Sequence, residues 1–188
     1  MSNRLVEKQV IYSGDRMRLE LHRLEDEETG RRSQREVVVH PGAVVVLPLL
    51  PDGRVLLIRN RRYAVGDTLV ELPAGALQKG EDPMNAAGRE LLEETGFLAG
   101  RLRPVGWFYT SPGILSERMY AFVADKLERS KPALEAGEEI ELLPATLLQA
   151  VQMVRDGRIV DAKTMVTILS YVLPTPEVSE EPIKTELS

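Results

Sequence analysis

Apolar and polar residues alternate through the N-terminal part of the chain, and that alternation predicts strands. Val10 and Tyr12, then Met17, Leu19 and Leu21, recur at every second position around Ser13-Gly14-Asp15, so Gln9–Leu24 reads as two strands joined by a turn. A charged turn over Glu25–Arg32 leads into another strand, Gln34–Val39. Ala43–Leu50 is apolar and rich in β-branched residues, Pro51-Asp52-Gly53 turns the chain, and Val55–Arg59 returns as a strand. Thr68–Leu72 is a further short strand that stops at Pro73.

The pattern changes at Pro83. Proline suits the first turn of a helix, Asp82 before it is a good N-cap, and Gly96 ends the run as a C-terminal glycine. Ala86, Ala87 and Arg89–Glu94 between them are mostly strong helix formers. Strands resume at Arg103–Tyr109 and Glu117–Ala124, where Trp107, Phe108 and Tyr109 are expected to put at least one ring in the core. A second helix is expected from about Pro144 to Arg155, on the stripe Leu147, Leu148, Val151 and Val154. A third runs from about Ala162 to Leu173, before Pro174. Strands outnumber helices and alternate with them, which predicts a mixed α/β domain with an antiparallel or mixed sheet.

The chain is 188 residues long, enough for one domain with a real core. Its net charge of −5 weighs against a general polyanion binder, so nucleic acid is not an expected partner. The absence of cysteine excludes disulfides, thiol nucleophiles and Cys-ligated zinc. His22 and His40 stand apart without metal-site spacing, so any metal must be held by carboxylates. The most apolar stretch, Val37–Leu50, is broken by His40-Pro41-Gly42 into halves too short to cross a bilayer. Met1–Asp15 carries charges and no long apolar run, so neither export nor a membrane partner is expected and the default location is the cytoplasm.

The most informative segment is the helix between Pro83 and Gly96. Glu90, Glu93 and Glu94 lie at i, i+3 and i+4, on neighbouring surface of one helix. Like charges one turn apart cost roughly 0.2–0.5 kcal/mol per pair, and the helix C-terminus disfavours anions further. A solvated acidic face is the plainer reading of such a run. A hard divalent cation such as Mg²⁺, which takes oxygen ligands, would reverse the sign of the cost. Arg89 precedes Glu93 by four residues and is placed to pair with it.

The surroundings favour the cation. Gly75 is followed after five residues by Glu81, after seven more by Arg89-Glu90-Leu91, and then by Glu93-Glu94 and Gly96-Phe97. This segment resembles the Nudix box at every fixed position, a match expected by chance about once in 10⁸ start points. The resemblance extends over nearly all of Tyr12–Leu173 and is strongest to the ADP-ribose pyrophosphatase branch. Leu72-Pro73-Ala74-Gly75 is similar to that branch's lead into the box, and Ser111-Pro112-Gly113 follows at its characteristic distance. Arg35-Glu36, His40-Pro41-Gly42, the stretch from Arg59 to Tyr63, and Asp161-Ala162-Lys163-Thr164 resemble further segments of the same branch.

The resemblance implies a Nudix-type α/β/α sandwich with a mixed sheet and an N-terminal antiparallel strand region. It implies an N-terminal strand region over 1–42 that serves dimerisation, a hydrolase domain over 43–173, and a loosely ordered tail over 174–188, whose Pro-, Glu-, Ser- and Thr-rich composition agrees. It implies Mg²⁺- or Mn²⁺-dependent hydrolysis of a nucleoside diphosphate linked to a sugar, with AMP and ribose 5-phosphate as the products from ADP-ribose. Glu90, Glu94 and the Ala74 carbonyl are the implied metal ligands, with Glu93 joining them or orienting a water. Arg89 is an orienting ion-pair partner, and Glu81 a structural group behind the ligands. A glutamate from a later loop is the implied base. Glu138 has the best alignment, with Glu135 and Glu139 as alternatives, and most glutamates of that loop read equally well as solvated.

Arg62 is implied to meet the phosphates, Arg35 to stack or pair near the base, and Ser111 and Gly113 to line the substrate site. Glu71 is placed to accept from a ribose or adenine group. GDP-mannose or another sugar nucleotide is the rival substrate, and a nucleotide-sensing module that does not cleave is the rival class. The intact acidic cluster favours an enzyme. A homodimer is expected, because lone hairpins such as Gln9–Leu24 are marginal in water and the branch commonly exchanges this region between subunits.

Overall fold

β4 (Ala43–Pro48) is buried along its whole length, and the molecule is layered around it. Its alternate residues point to opposite faces: Val44 and Val46 into one apolar cluster, Val45 and Leu47 into another. A strand covered on both sides reads as a continuous apolar run, which is why Ala43–Leu50 shows no alternation. The computed structural model describes residues 3–131 and 140–173. The tail over 174–188 and the candidate bases Glu135, Glu138 and Glu139 lie outside the described residues.

One mixed sheet has the order β7-β4-β9-β8, with β7 spanning Ala74–Ala76, β8 Phe97–Tyr109 and β9 Arg118–Arg129. β4 pairs parallel with β9, and the other pairs are antiparallel. Helix α1 (Pro83–Thr95) covers one face, its small residues Ala86 and Ala87 together with Leu91 meeting Val44, Val46, Phe122 and Ala124. On the other face lies an antiparallel sheet, order β10-β5-β6, of Ile140–Ala145, Val55–Arg62 and Asp67–Glu71. Val55 and Leu57 pack there with Ala150 and Met153 of α2 (Leu147–Arg155) and Ile168 of α3 (Ala162–Val172). The expected mixed α/β sandwich is therefore observed.

The N-terminal strands β1 (Asn3–Ser13), β2 (Arg18–Asp26) and β3 (Arg32–Val39) form a separate antiparallel sheet. It is tied to the turn after β8: Val38 N–H donates to the Ile114 carbonyl at 2.8 Å, and Ser116 N–H to the Val38 carbonyl at 2.9 Å. Every residue of β1 is exposed, on both faces of the strand.

The structure differs from the expectations where pairing, not local pattern, makes the element. β7 is three residues long and owes its strand character to β4. β8 begins at Phe97 rather than Arg103; as the edge strand of its sheet it is largely exposed, so its first half carries no clear alternation. Pro144 does not open α2 but sits opposite Leu56 in β10, an edge strand that tolerates a missing N–H. The helix starts at Leu147, because Thr146 caps it and forms a reciprocal box with Gln149. Of the three consecutive aromatics Phe108 packs against the core, whereas Trp107 and Tyr109 are exposed, with the Arg118 guanidinium 4.4 Å above the Trp107 ring.

Candidate functional site

Both ends of α1 are set by local chemistry. The Asp82 side chain accepts from Met84 N–H at 2.9 Å and from Asn85 N–H at 3.3 Å. Gly96, at φ 72°, closes the helix by donating to the Leu92 carbonyl at 2.8 Å. Between these caps the apolar residues face β4, so Arg89, Glu90, Glu93 and Glu94 come out beside β7 and the loop before the helix.

Arg89 is the hub of that surface. Its Nε and Nη2 donate to the two Glu81 oxygens at 2.9 and 3.0 Å, and Nη2 also reaches the Ala76 carbonyl at 3.2 Å. Its Nη1 lies 2.7 Å from Glu90 Oε1 and 2.9 Å from Glu93 Oε2. Three carboxylates thus share one guanidinium. Hydrogen bonding to Glu81, then to Glu90 and Glu93, holds Arg89 above its usual range despite the opposing effect of partial burial. The same bond holds the Glu81 carboxyl below the usual range. Glu81 also accepts from Gln78 N–H at 2.9 Å, which fixes it behind Arg89.

Glu94 is turned inward, 4% exposed, and its Oε2 accepts from Ala74 N–H at 2.9 Å. The Glu90 carboxylate rests on Gly75, where a Cβ would overlap it. That close approach, rather than a turn, is why position 75 is glycine. Gly75→Ala should therefore displace the Glu90 carboxylate. A flexible side-chain end yields easily, so the melting temperature should stay near that of the parent protein. Divalent-cation affinity should fall about tenfold, the scale of lost support for a metal site. Mn²⁺ titration followed by electron paramagnetic resonance (EPR) measures this, and unchanged affinity would show that Glu90 is not a ligand.

Among the described residues no three acidic or histidine side chains converge as a ready ligand set. Arg89 stands between Glu90 and Glu93, and Glu94 faces the Ala74 amide. The donors nevertheless suit a hard divalent cation: they are all oxygens, on adjacent turns, and Glu90 and Glu93 already reach a single cationic nitrogen.

A second charged cluster adjoins the first. Glu71, at the end of β6, is fully buried. It takes Arg62 Nε at 2.8 Å, Arg62 Nη2 at 2.6 Å and Lys163 Nζ at 2.6 Å. Hydrogen bonding to Glu71 holds Arg62 above its usual range, with the charges of Glu94 and Asp161 adding to the effect. Glu71, expected to accept from a ribose or adenine group, here accepts from Arg62 at Oε1 and from Arg62 and Lys163 at Oε2, and none of it reaches solvent. Lys163 carries no signal of its own in the sequence beyond its place in the Asp161–Thr164 segment.

Arg35, Ser111 and Gly113 lie on elements other than α1 and β7. Arg35 lies on β3 and donates to the Gln34 carbonyl at 2.8 Å. Ser111 and Gly113 lie in the turn after β8, where the Ser111 carbonyl accepts from Ile114 and Leu115. A cleft of about 550 Å³ lies between the second sheet and α2 and is lined by residues including Arg59, Val70, Gln149 and Arg158; none of the α1 carboxylates lines it.

The NUDIX domain model matches residues 39–167. The chain is 38% identical over 172 residues to the ADP-ribose pyrophosphatase of Bacillus subtilis (strain 168), covering 89% of this chain and 91% of that protein. It is 35% identical over 165 residues to the methanol dehydrogenase activator of Bacillus methanolicus, covering 87% and 89%. It is 34% identical over 151 residues to the GDP-mannose pyrophosphatase of Salmonella typhimurium, covering 75% and 78%. The crystal structure of an ADP compounds hydrolase superposes with a TM-score of 0.80 at 22% identity, covering 91% of this chain and 92% of that one, and so shares the fold.

Proposed function

The chain belongs to the NUDIX family, and on that premise we propose that it hydrolyses the pyrophosphate bond of ADP-ribose in a Mg²⁺- or Mn²⁺-dependent reaction, giving AMP and ribose 5-phosphate. It is a Nudix hydrolase related over most of its length to ADP-ribose pyrophosphatases. The observation that carries the reading is the array of Glu81, Glu90 and Glu93 around Arg89, with Glu94 tied to the Ala74 amide.

Glu90, Glu94 and the Ala74 carbonyl would hold the cation, with Glu93 completing the set or orienting a water. When bound, the cation supplies positive charge for the phosphate oxygens and acidifies water. Arg89 keeps Glu90 and Glu93 aimed at one place, with Glu81 behind it. Arg62 commits Nε and Nη2 to Glu71, which sets the plane of its guanidinium and leaves the Nη1 edge for phosphate oxygens. Water adds to one phosphorus, the bridging oxygen leaves with the other phosphate, and the proton released by the water passes to a loop carboxylate, Glu138.

A GDP-mannose pyrophosphatase 34% identical to this chain makes GDP-mannose the rival substrate. A product screen with Mg²⁺ over ADP-ribose, GDP-mannose, UDP-glucose, NADH and diadenosine polyphosphates tests the assignment. AMP released fastest from ADP-ribose supports it. Preference for GDP-mannose would replace the substrate, and no turnover of any compound would make the chain a binding module.

The same reading includes a homodimer. The whole of β1 is exposed, including Leu5, Val6, Val10, Ile11 and Tyr12, and a partner would cover this apolar surface. A partner would also offer its own Arg35, on β3, to the substrate. Light scattering should give twice the 21.0 kDa chain mass. The mass of a single chain at micromolar concentration would overturn the dimer.

A further inference from the structure

The segment Glu71–Ala74 passes from the second sheet into the first, and each residue in it is held by a different contact. Glu71 is gripped by Arg62 and Lys163. Leu72 N–H donates to Thr164 Oγ1 at 2.8 Å. The Pro73 carbonyl accepts from Val46 N–H at 2.9 Å. Ala74 N–H donates to Glu94 Oε2 at 2.9 Å.

Two of these contacts come from the first turn of α3. Asp161 organises that turn: one of its oxygens accepts from Thr164 N–H at 3.0 Å, capping the helix, and the other takes Lys163 Nζ at 2.8 Å. Lys163 is therefore stretched between the cap of α3 and the end of β6. Thr164, fully buried, meets the next residue along. Burying Glu71 against two cations is weak evidence of stabilisation, since desolvation offsets much of the attraction in such sites. Such a contact also imposes geometry, and the geometry here ends at Ala74.

We propose that Lys163 and Thr164 are positioning residues for the cation site, the first turn of α3 clamping Glu71–Ala74 so that the Ala74 carbonyl and the Glu94 carboxylate face one ion. The proposal rests on the cation site described under Proposed function. Neither residue touches the ion. Lys163 acts through Glu71 and Thr164 through Leu72, and both act on Ala74.

The test is Mn²⁺ binding to the full, substrate-free chain by EPR, with a melting curve for each variant. Lys163→Met should weaken Mn²⁺ binding about tenfold, as loss of outer support does at metal sites. Lys163→Arg, which keeps a cation against Glu71, should bind within about threefold of the parent protein. If Lys163→Met does not fold, Lys163→Gln carries the same expectation. Parent-like Mn²⁺ affinity in Lys163→Met or Lys163→Gln, with only a lowered melting temperature, would reduce Lys163 to a fold contact and overturn the clamp. The underlying site has its own control: if the parent protein binds Mn²⁺ no better than Glu90→Gln does, the cation site fails and the clamp fails with it.

Discussion

Glu90→Gln and Glu94→Gln are each expected to lower turnover of the preferred substrate by at least about 10²-fold, with the fold intact. Both changes replace an anionic oxygen with a neutral amide of the same shape, so charge for the cation is lost while volume is kept. The surroundings predict that the fold survives. In Glu94→Gln the side-chain amide still offers a carbonyl oxygen to the Ala74 N–H, which Glu94 now accepts. Glu90 is one of three carboxylates around Arg89, and Glu81 and Glu93 remain when it is neutralised. Glu81→Gln is the internal comparison. Glu81 touches Arg89 and the Gln78 amide, not the place where the cation would sit, and its effect should be smaller. Removing the cation with EDTA should abolish turnover and leave the protein folded. The apolar clusters on both faces of β4 contain none of these carboxylates, and Arg89 already balances charge among three of them. Turnover near that of the parent protein in either variant at saturating Mg²⁺ would remove that residue from the ligand set.

How much of this is legible in the sequence follows from how far apart the partners lie. α1 is written in its own residues: the Asp82 cap, Pro83, the run of helix formers and Gly96 are all local. The Arg89–Glu93 pair is one turn of the same helix and is readable from spacing. The grip of Lys163 on Glu71 joins positions 92 residues apart, and no local pattern announces it. β7 and β10 escape local reading for the same reason, since each becomes a strand only when β4 or β5 lies beside it. Gly75 is visible as a fixed glycine, but an ordinary turn explains it equally well from sequence. Its actual cause is the Glu90 side chain lying on it from another element. Arg62 is readable as a cation near the site, whereas the buried carboxylate that fixes its orientation is not, because Glu71 looks like any polar residue ending a strand.

The remaining large effect concerns the proton. Glu138→Gln is expected to lower kcat by roughly 10²–10⁴, the usual worth of a general base, with KM much less changed. The carboxylates of α1 are committed elsewhere: Glu90 and Glu93 to Arg89, and Glu94 to the Ala74 amide. A carboxylate whose oxygens already hold a cation or accept hydrogen bonds is poorly placed to align and deprotonate a water as well. The attacking water therefore needs a base from outside the helix. Ile140, the first described residue after the acidic loop, pairs with Asn60, two positions before Arg62 on β5. The chain thus re-enters the sheet at the strand end that carries the proposed phosphate contact. Full kinetics of Glu135→Gln, Glu138→Gln and Glu139→Gln separate the candidates. A nearly silent Glu138→Gln beside a crippled neighbour would keep the loop and move the base by a residue or more. Three silent variants would return the role to α1, with Glu93 first in line, since it is the most exposed of the carboxylates paired with Arg89.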